Sequence, residues 1–530
     1  MLKTVTFLLL LILVTFNLNA QYFLDSTFGL NGMANFGFGG PGETNSDMPF
    51  DIITQSDGNI ITAGQSDGPN GIFVAIARLF PGGQLDTSGF GVDGRVYTHF
   101  VVRDRAYAIS LQSDGKIIAV GNEAESNAGS AIMPSIYRFN SDGSTDTTFA
   151  GTGYVALRFD AVSSGSFYGV YIQPDGKILA AGSETGNANG GSYGFGTMRF
   201  LPTGELDTTY GVMGKSAITC NILYNWVGSV LSPDGGIIMA STGYDGNYKY
   251  FLAKMDNLGN RDTTFGINGI AELATQNNYS TILAITDDGK ILMGGTTYST
   301  DSHWQMTVFR FLSDGTLDSA FAAGGRIDMR FTSDDYLNDL IVDQEGKILV
   351  AGETGNYGVV ARLTSDGNLD TTFASEGRII QSLNNNSGTS YFTSLILLSD
   401  ESVLTVGFDF ASGAGNFVVS KFNNAVTNVA DNSIVPVNFV LNQNYPNPFN
   451  PSTKINFILP SESRVKLNIY NMLGEKVRKL FDNDQMSAGE HTIEFSAGNL
   501  ASGIYIYSIE AQTLTGNILL RMAKKMILLK

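Results

Sequence analysis

One phrase returns along the chain at intervals of 54 to 61 residues: Gln55-Ser56-Asp57-Gly58-Asn59-Ile60, Gln112-Ser113-Asp114-Gly115-Lys116-Ile117, Gln173-Pro174-Asp175-Gly176-Lys177-Ile178, Ser232-Pro233-Asp234-Gly235-Gly236-Ile237, Thr286-Asp287-Asp288-Gly289-Lys290-Ile291, Asp343-Gln344-Glu345-Gly346-Lys347-Ile348 and a worn seventh, Leu398-Ser399-Asp400-Glu401-Ser402-Val403. A second phrase keeps the same beat, again seven times: Leu24-Asp25-Ser26-Thr27-Phe28, Leu85-Asp86-Thr87, Thr145-Asp146-Thr147-Thr148-Phe149, Leu206-Asp207-Thr208-Thr209-Tyr210, Asp262-Thr263-Thr264-Phe265, Leu317-Asp318-Ser319-Ala320-Phe321 and Leu369-Asp370-Thr371-Thr372-Phe373. A period of this size restricts the chain to a repeat architecture, in which each unit buries its face against its neighbours.

Within the third unit the pattern predicts four short strands, Tyr154 to Phe159, Phe167 to Ile172, Lys177 to Gly182 and Phe195 to Phe200, separated by Gly, Ser, Asn or Asp. The Asp-Gly step between the second and third suits a tight hairpin, because Gly takes positive φ freely and Asp accepts a bond from the backbone that follows it. The third strand then turns small, as in Ile178-Leu179-Ala180-Ala181-Gly182, which lets neighbouring strands or sheets approach closely near a radial axis. Seven four-stranded units arranged radially make a seven-bladed β-propeller, an all-β fold that leaves only short edges. An open β-solenoid is the alternative, and residues 21 to 436 leave little room for the caps it needs. The two phrases also resemble the repeats called delta-60, which are read as β-propellers; the likeness covers roughly residues 24 to 424.

In the first six units a base stands eight residues before the acid of the second phrase: Arg78 and Asp86, Arg138 and Asp146, Arg199 and Asp207, Lys254 and Asp262, Arg310 and Asp318, Arg362 and Asp370. Lys421 marks the same place in the seventh unit, where the repeat stops. Constant spacing inside units of varying length predicts ion pairs across one fixed turn, with the Asp carboxylates also capping the Thr-Thr-Phe amides. The alternative is that both residues only solvate the turn, worth about 0 to 1 kcal/mol per pair. The acids around Gly143, Gly315 and Gly367 lack the ligand spacing of a calcium loop, so neither metal nor cofactor is expected.

In such units the two regular phrases emerge on one side and the irregular loops on the other. From the Gly ending strand three to the base of strand four, the span is 17 residues for Gly121 to Arg138 and only 10 for Gly352 to Arg362. Tyr193, Tyr244, Tyr248, Trp304 and Tyr357 lie in these irregular stretches and are the candidate ligand-binding residues, suited to a glycan or surface polymer. The bland reading of each is blade packing, in a chain with 22 Tyr and 34 Phe. Catalytic signatures are missing: the three histidines, His99, His303 and His491, are scattered, and no Gly-x-Ser-x-Gly or His-Glu-x-x-His pattern occurs. No catalytic residue is assigned, and the runner-up is a secreted polysaccharide-active enzyme using loop carboxylates such as Asp245, Asp301, Asp334 and Asp335.

Charge narrows the partners. The net charge is −18, and residues 21 to 436 hold 43 acids against 21 bases, which argues against nucleic acid and anionic membrane surfaces. Cys220, the only cysteine, excludes an intrachain disulfide and is expected to be a buried structural thiol. Residues 1 to 20, with Lys3, the apolar stretch Phe7 to Val14 and a polar close at Ala20, have the layout of a signal peptide, with no Cys at the cut for a lipid anchor. No later run is long and apolar enough for a transmembrane helix.

After a polar linker, residues 425 to 436, the segment 437 to 530 reads as seven short strands, suited to a small immunoglobulin-like β-sandwich. It contains Pro446-Asn447-Pro448-Phe449-Asn450-Pro451, Asn471-Met472-Leu473-Gly474-Glu475, Leu500-Ala501-Ser502-Gly503-Ile504-Tyr505 and a closing Lys525-Met526-Ile527-Leu528-Leu529-Lys530. These stretches resemble the type A C-terminal sorting domain of the type IX secretion system of Bacteroidetes and their relatives. The resemblance implies a partner, the type IX machinery, and an address, secreted or at the outer cell surface, with the domain removed during attachment or release. A sandwich that stays attached as a spacer or carbohydrate-binding module is the alternative.

Overall fold

The computed structural model describes residues 21–39, 46–68, 71–98, 100, 103–124, 132–160, 163–185, 193–222, 226–244, 246–276, 278–374, 376–383, 389–410, 415–425, 440–441, 444, 446–459, 463–472, 475–487, 489–512 and 518–529. The expected leader, Asp245, Gly474 and nearly all of the expected linker lie outside them. Every named element is a β-strand, and no helix is long and apolar enough to cross a membrane. The chain divides into two compact units, residues 1–426 and 427–530.

Seven antiparallel groups of strands, called sheets one to seven, make the first unit; single residue pairs, Ile72 with Arg103 (parallel) and Ile222 with Gly243, join one to two and three to four into eight-stranded sheets. Sheet one comprises Ser46–Thr54, Ile60–Gly68, Gly71–Leu79 and Arg95–Thr98; sheet two Arg103–Leu111, Ile117–Ala124, Met133–Phe139 and Tyr154–Ala156; sheet three Ser164–Ile172, Ile178–Thr185, Tyr193–Phe200 and Lys215–Ile222. Sheet four comprises Gly228–Leu231, Ile237–Tyr244, Tyr248–Met255 and Ile270–Ala274; sheet five Asn278–Ile285, Ile291–Tyr298, Trp304–Phe311 and Arg326–Met329; sheet six Asp335–Val342, Ile348–Thr354, Tyr357–Leu363 and Arg378–Gln381. Sheet seven joins Thr389–Leu397, Val403–Phe410 and Asn416–Ala425 to two strands from the other end of the unit, Gln21–Leu24 and Met33–Phe36, both paired with Asn416–Ala425.

This grouping corrects one expectation. The strand beginning at Tyr154 does not open the third sheet; it closes the second, with Tyr154 opposite Tyr137 and Val155 opposite Ile136. The connection between them, residues 140–153, folds back on itself, the Arg138 amide donating to the Gly153 carbonyl at 2.8 Å, so the chain doubles back on the strand it has just left. Sheet seven ends without such a returning strand, and the N-terminal strands fill the place.

Each second strand opens with two apolar residues, and alternation points them to opposite faces. Ile60 packs with Phe417 of sheet seven, while Ile61 packs with Tyr137 of sheet two. Ile118 shares a cluster with Ile178, Leu179 with Met239, Ile238 with Met293, Leu292 with Val350, and Leu349 with Phe392. Seven buried clusters thus sit between successive sheets, and one of them lies between the seventh and the first. Cys220 is buried in the cluster between sheets three and four, where burial pushes its thiol up to about 12.

The glycine that ends the apolar run has a more local reason than the approach of neighbouring sheets. A Cβ on Gly64, Gly121, Gly182 or Gly352 would stand 2.0, 2.0, 1.8 or 1.9 Å from a carbonyl oxygen of the adjacent first strand. That strand carries a β-bulge opposite the glycine, between Pro49 and Asp51, Ala106 and Ala108, Phe167 and Gly169, or Leu337 and Asp339. The glycine is what lets the bulged backbone lie down on its neighbour.

The base and acid eight apart meet across the turn. Arg138 Nε is 2.7 Å from Asp146 Oδ2, Arg199 Nε 2.7 Å from Asp207, Arg310 Nε 2.8 Å from Asp318 and Arg362 Nε 2.9 Å from Asp370. Arg78 Nη2 lies 2.6 Å from Asp86 Oδ2, and Lys254 Nζ 3.3 Å from Asp262 Oδ2. In sheet seven Lys421 reaches Asp25, at 3.6 Å. The other carboxylate oxygen caps the turn, as where Asp207 Oδ1 accepts from the Thr209 amide at 3.1 Å and its hydroxyl at 2.6 Å. The same arginines also bond the next sheet, Arg199 Nη1 donating to the Asn257 carbonyl at 2.8 Å and Arg310 Nη1 to that of Ser365 at 2.7 Å. The pairs of Arg78, Arg138, Arg199 and Arg310 are therefore joints between sheets as well as turn devices.

The second unit holds two antiparallel sheets, one of Val440–Leu441, Ser452–Leu459 and Gly489–Ser496, the other of Lys476–Met486, Ser463–Asn471, Gly503–Gln512 and Ile518–Leu528. They share a core that includes Phe457, Leu467, Tyr507 and Leu528. The proline-rich stretch clamps the last strand: Phe449 accepts from the Leu529 amide and donates to the Ile527 carbonyl, both at 2.9 Å, and Asn447 Oδ1 accepts from the Ile527 amide at 2.8 Å. Pro448 and Pro451 follow cis peptide bonds, Asn450 between them, and Tyr505 donates its hydroxyl to the Ala501 carbonyl at 2.8 Å beside the turn at Gly503. The Pro446 carbonyl accepts from Thr453 Oγ1 at 2.8 Å.

Candidate functional site

The five aromatics singled out from the loops are not brought together as one surface. Tyr193 and Tyr357 each open the third strand of their sheets, 38% and 37% exposed. Tyr244 and Tyr248 face each other across one hairpin, ring centroids 5.1 Å apart. Trp304 alone of the five packs against cavity-lining rings, 4.7 Å from Tyr279 and 6.3 Å from Tyr336, among the described residues. The loop acids are engaged elsewhere: Asp301 with Arg330 at 2.7 Å, Asp334 with the Trp304 amide at 2.8 Å, and Asp335 with Thr354 Oγ1 at 2.6 Å.

The first strands of the seven sheets adjoin one another in succession, that of sheet seven adjoining that of sheet one. Their middle portions line much of a cavity of about 870 Å³, within the range of small-molecule sites. One layer of its wall comes from a single position of the repeat, seven residues before the acid of the first phrase: Phe50, Tyr107, Tyr168, Val227, Thr281, Asn338 and Thr393. In most sheets this is the bulged residue itself, turned out of the regular alternation by the bulge. The layer has two characters, apolar or aromatic from sheets one to four and hydrogen-bonding from five to seven.

On the first side the rings touch. Phe50 and Tyr107 have centroids 4.9 Å apart, Tyr107 and Tyr168 4.9 Å, and Trp226 lies 5.1 Å from Tyr107 and 4.7 Å from Tyr168. Trp226 remains 50% exposed. On the other side Tyr279, Tyr336 and Tyr391 stand nine residues before their turn acids, two positions nearer the strand start.

Deeper in the wall two carboxylates flank one hydroxyl. Ser394 Oγ lies 2.8 Å from Asp339 Oδ2 and 3.4 Å from Asp51 Oδ1. Each acid also ties its sheet to the next, Asp339 accepting from the Leu395 amide and Asp51 from the Ile109 amide, both at 2.8 Å. Burial, reinforced by the Asp339 charge, pushes Asp51 up to about 7 against the pull of the amides. Burial likewise raises Asp339, and burial with the nearby Asp335 charge raises Glu353, a third lining acid. No Lys, Arg or His is among the lining residues described. The described residues contain no cluster of His, Cys, Asp and Glu that could hold a metal ion.

Sequence reasoning passed over Phe50, Tyr107, Tyr168, Tyr279, Tyr336 and Tyr391 because they sit inside strands rather than in irregular loops, and over Trp226 just before the strand Gly228–Leu231. The signal was present: an aromatic stands seven residues before the turn acid in units one to three and nine before it in units five to seven.

Comparison with known proteins places two domains on the chain. A model described as a domain of unknown function (DUF5122) beta-propeller matches residues 55–88, 112–149, 173–210, 286–321 and 345–373. A secretion system C-terminal sorting domain matches residues 443–521. No curated protein matches the chain. Among solved structures, similarity extends to a polysaccharide lyase of family PL25, an ulvan lyase, at 9% identity and TM-score 0.41, covering 71% of this chain and 94% of that one. It extends also to BBS1N in complex with ARL6DN, at 12% identity and TM-score 0.36, covering 73% and 96%. The extracellular domain of the BT4673 one-component system of B. thetaiotaomicron matches at 11% identity and TM-score 0.17, covering 91% and 81%. These likenesses are too loose to transfer a site or an activity. The family matches are specific, and with them the chain carries an N-terminal β-propeller domain and a C-terminal secretion sorting domain.

Proposed function

We propose that this is a closed, seven-bladed propeller of the delta-60 kind, exported through the type IX system, that recognises a saccharide outside the cell through its axial cavity and performs no chemistry on it. The observation that carries the reading is the layer of seven equivalent residues converging on one aromatic-lined space. Aromatic faces cover the apolar faces of sugar rings while phenol and indole edges still bond, and the arrangement of seven first strands supplies a rigid frame. The rim aromatics Tyr193, Tyr244, Tyr248 and Tyr357 are secondary in this reading, with Trp304 supporting the wall. The twelve paired bases and acids hold the frame, and the C-terminal unit, read as an immunoglobulin-like sandwich spanning 437 to 530, delivers the protein and is then removed.

A glycan array probed with the mature full chain tests recognition: binding that falls when Trp226 and Tyr168 are replaced supports it, and a blank array for the folded protein refutes it. A second reading, a polysaccharide-active enzyme, draws on the Asp51 and Asp339 carboxylates either side of Ser394. New reducing ends released from a bound polymer, and lost in Asp339→Asn, favour that reading. Mass spectrometry of the secreted protein tests removal of the tail, which an intact C-terminus on all surface molecules contradicts.

A further inference from the structure

Resting on the saccharide reading, we infer that the axial cavity takes an uncharged pyranoside and rejects uronate- or sulfate-bearing chains, stacking the sugar on the Tyr107, Tyr168 and Trp226 rings and receiving its hydroxyl protons on the opposite wall. Three observations carry this.

First, those three rings form one cluster, each within 5.1 Å of the others by centroid, with Tyr168 tilted 35° to both partners, Tyr107 and Trp226 edge to face at 66°, and Trp226 half exposed. Second, the facing wall is rich in acceptors whose own protons are already committed. Thr281 Oγ1 donates to the Ala240 carbonyl at 2.9 Å, Thr393 Oγ1 to that of Val406 at 3.2 Å, and Ser394 Oγ to Asp339 at 2.8 Å. The Asn338 amide nitrogen donates to the Phe392 carbonyl at 2.8 Å. With these protons placed, the hydroxyls and the Asn338 side-chain oxygen offer lone pairs, as do the ionised carboxylates of Asp51, Asp339 and Glu353, that of Asp51 above about pH 7. A hydroxyl-rich ligand brings the missing protons; a sulfate or uronate brings only more acceptors.

Third, charge works in the same direction. Three acids line the cavity and, among the described residues, no base does; Arg105, off the lining, reaches the Tyr107 hydroxyl and donates its Nε to Gln65 Oε1 at 2.7 Å. An anionic sugar would meet three acids against this one base at the edge, and like charges repel more strongly in a partly desolvated space.

The test is calorimetry with the mature full chain at low salt, comparing neutral gluco-, manno- and galacto-oligosaccharides with oligouronates of matched length. The inference expects at least one neutral series to bind tenfold or more tighter than every uronate, and expects Asp51→Asn to narrow that gap. Trp226→Ala should weaken neutral binding tenfold or more, and Trp226→Phe, which keeps a ring in place, should restore most of it. Uronates binding as tightly as neutral chains, or a gap that Asp51→Asn leaves unmoved, overturns the inference while the saccharide reading stands. Failure of the folded wild-type protein to bind any saccharide, charged or neutral, overturns the reading beneath it.

Discussion

Lys421 and Asp25, at opposite ends of the repeat region, meet as the bases and acids eight apart do within the other units. The Lys421 ammonium lies 3.6 Å from Asp25 Oδ2, and the Asp25 amide donates to the Lys421 carbonyl at 2.8 Å, as the Asp86 amide donates to the Arg78 carbonyl at 2.9 Å. The Gly29 amide then donates to the Gly82 carbonyl of sheet one at 2.8 Å, the bond that Gly91 makes to Asp142 and Gly211 to Leu258 further along. The seventh sheet is thereby stitched from both chain ends.

Asp25→Ala should therefore destabilise the whole first unit rather than fray its start. It removes the ion pair and the bonds to the Thr27 amide and hydroxyl, at 3.0 and 2.6 Å, for an expected loss of about 1–3 kcal/mol. The measurement is urea unfolding, with a lower midpoint and unchanged slope; an unaffected midpoint contradicts the stitching role.

Arg199 tests the joints between sheets. Its guanidinium bonds Asp207 and the Asn257 carbonyl and lies 4.6 Å over the Tyr210 ring, in a pair that is almost wholly buried. Arg199→Ala strands a buried carboxylate and should cost about 3–5 kcal/mol. Arg199→Lys keeps the charge but cannot span both partners, and its loss should fall between. Equal stability of Lys and Arg at this site, by thermal or urea unfolding, argues that only the turn is served.

Gly182 tests the bulge. A Cβ there meets the Ser166 carbonyl at 1.8 Å, whereas one on Gly503 meets nothing within 4 Å. Gly182→Ala should destabilise by about 1–3 kcal/mol or more, as overpacking does, and Gly503→Ala should be close to neutral. Comparable effects at the two sites count against the bulge geometry.

Asp51 gives the protein an unusual slope of stability with pH. Its carboxyl titrates at about 7 in the folded state against an ordinary 3.8, so between those values the folded chain holds a proton that the unfolded chain has released. Stability from this group falls as pH rises through that window and levels off above it. The turn acids work oppositely: bonds from Thr209, outweighing burial, take Asp207 down to about 2, so its contribution is lost only as acid titrates it there. Asp51→Asn should flatten the decline between pH 5 and 8 in urea unfolding; identical slopes for the two proteins contradict the assignment.

The repeat, its seven copies and the strand content were legible because the regular turns demand particular residues: a glycine at positive φ, as at Gly115, and an acid that caps its own turn, as Asp207 does. Strand grouping was less so, since the Tyr154 strand reads the same whether it pairs forward or back, and only bonds such as that from Arg138 to Gly153 across the connection decide. The cavity was hidden for a related reason. Tyr107 and Tyr168 look like strand residues in regular alternation, and a bulge opposite Gly121 and Gly182, invisible in composition, turns them toward the cavity. Asp339, from the preceding sheet six, and Asp51 of sheet one flank Ser394 of sheet seven, and Asp51 comes beside it only when the ends of the repeat meet.

Closure of the seven sheets can be tested with one cross-link. Phe23 and Asn423 are direct strand partners, both half-buried, so a Phe23→Cys/Asn423→Cys pair in a Cys220→Ser background should oxidise to an intramolecular disulfide in the monomer. The account predicts nearly complete cross-linking within one chain and a rise in unfolding midpoint that reduction reverses. Free thiols after oxidation, or disulfides found only between chains, would contradict it.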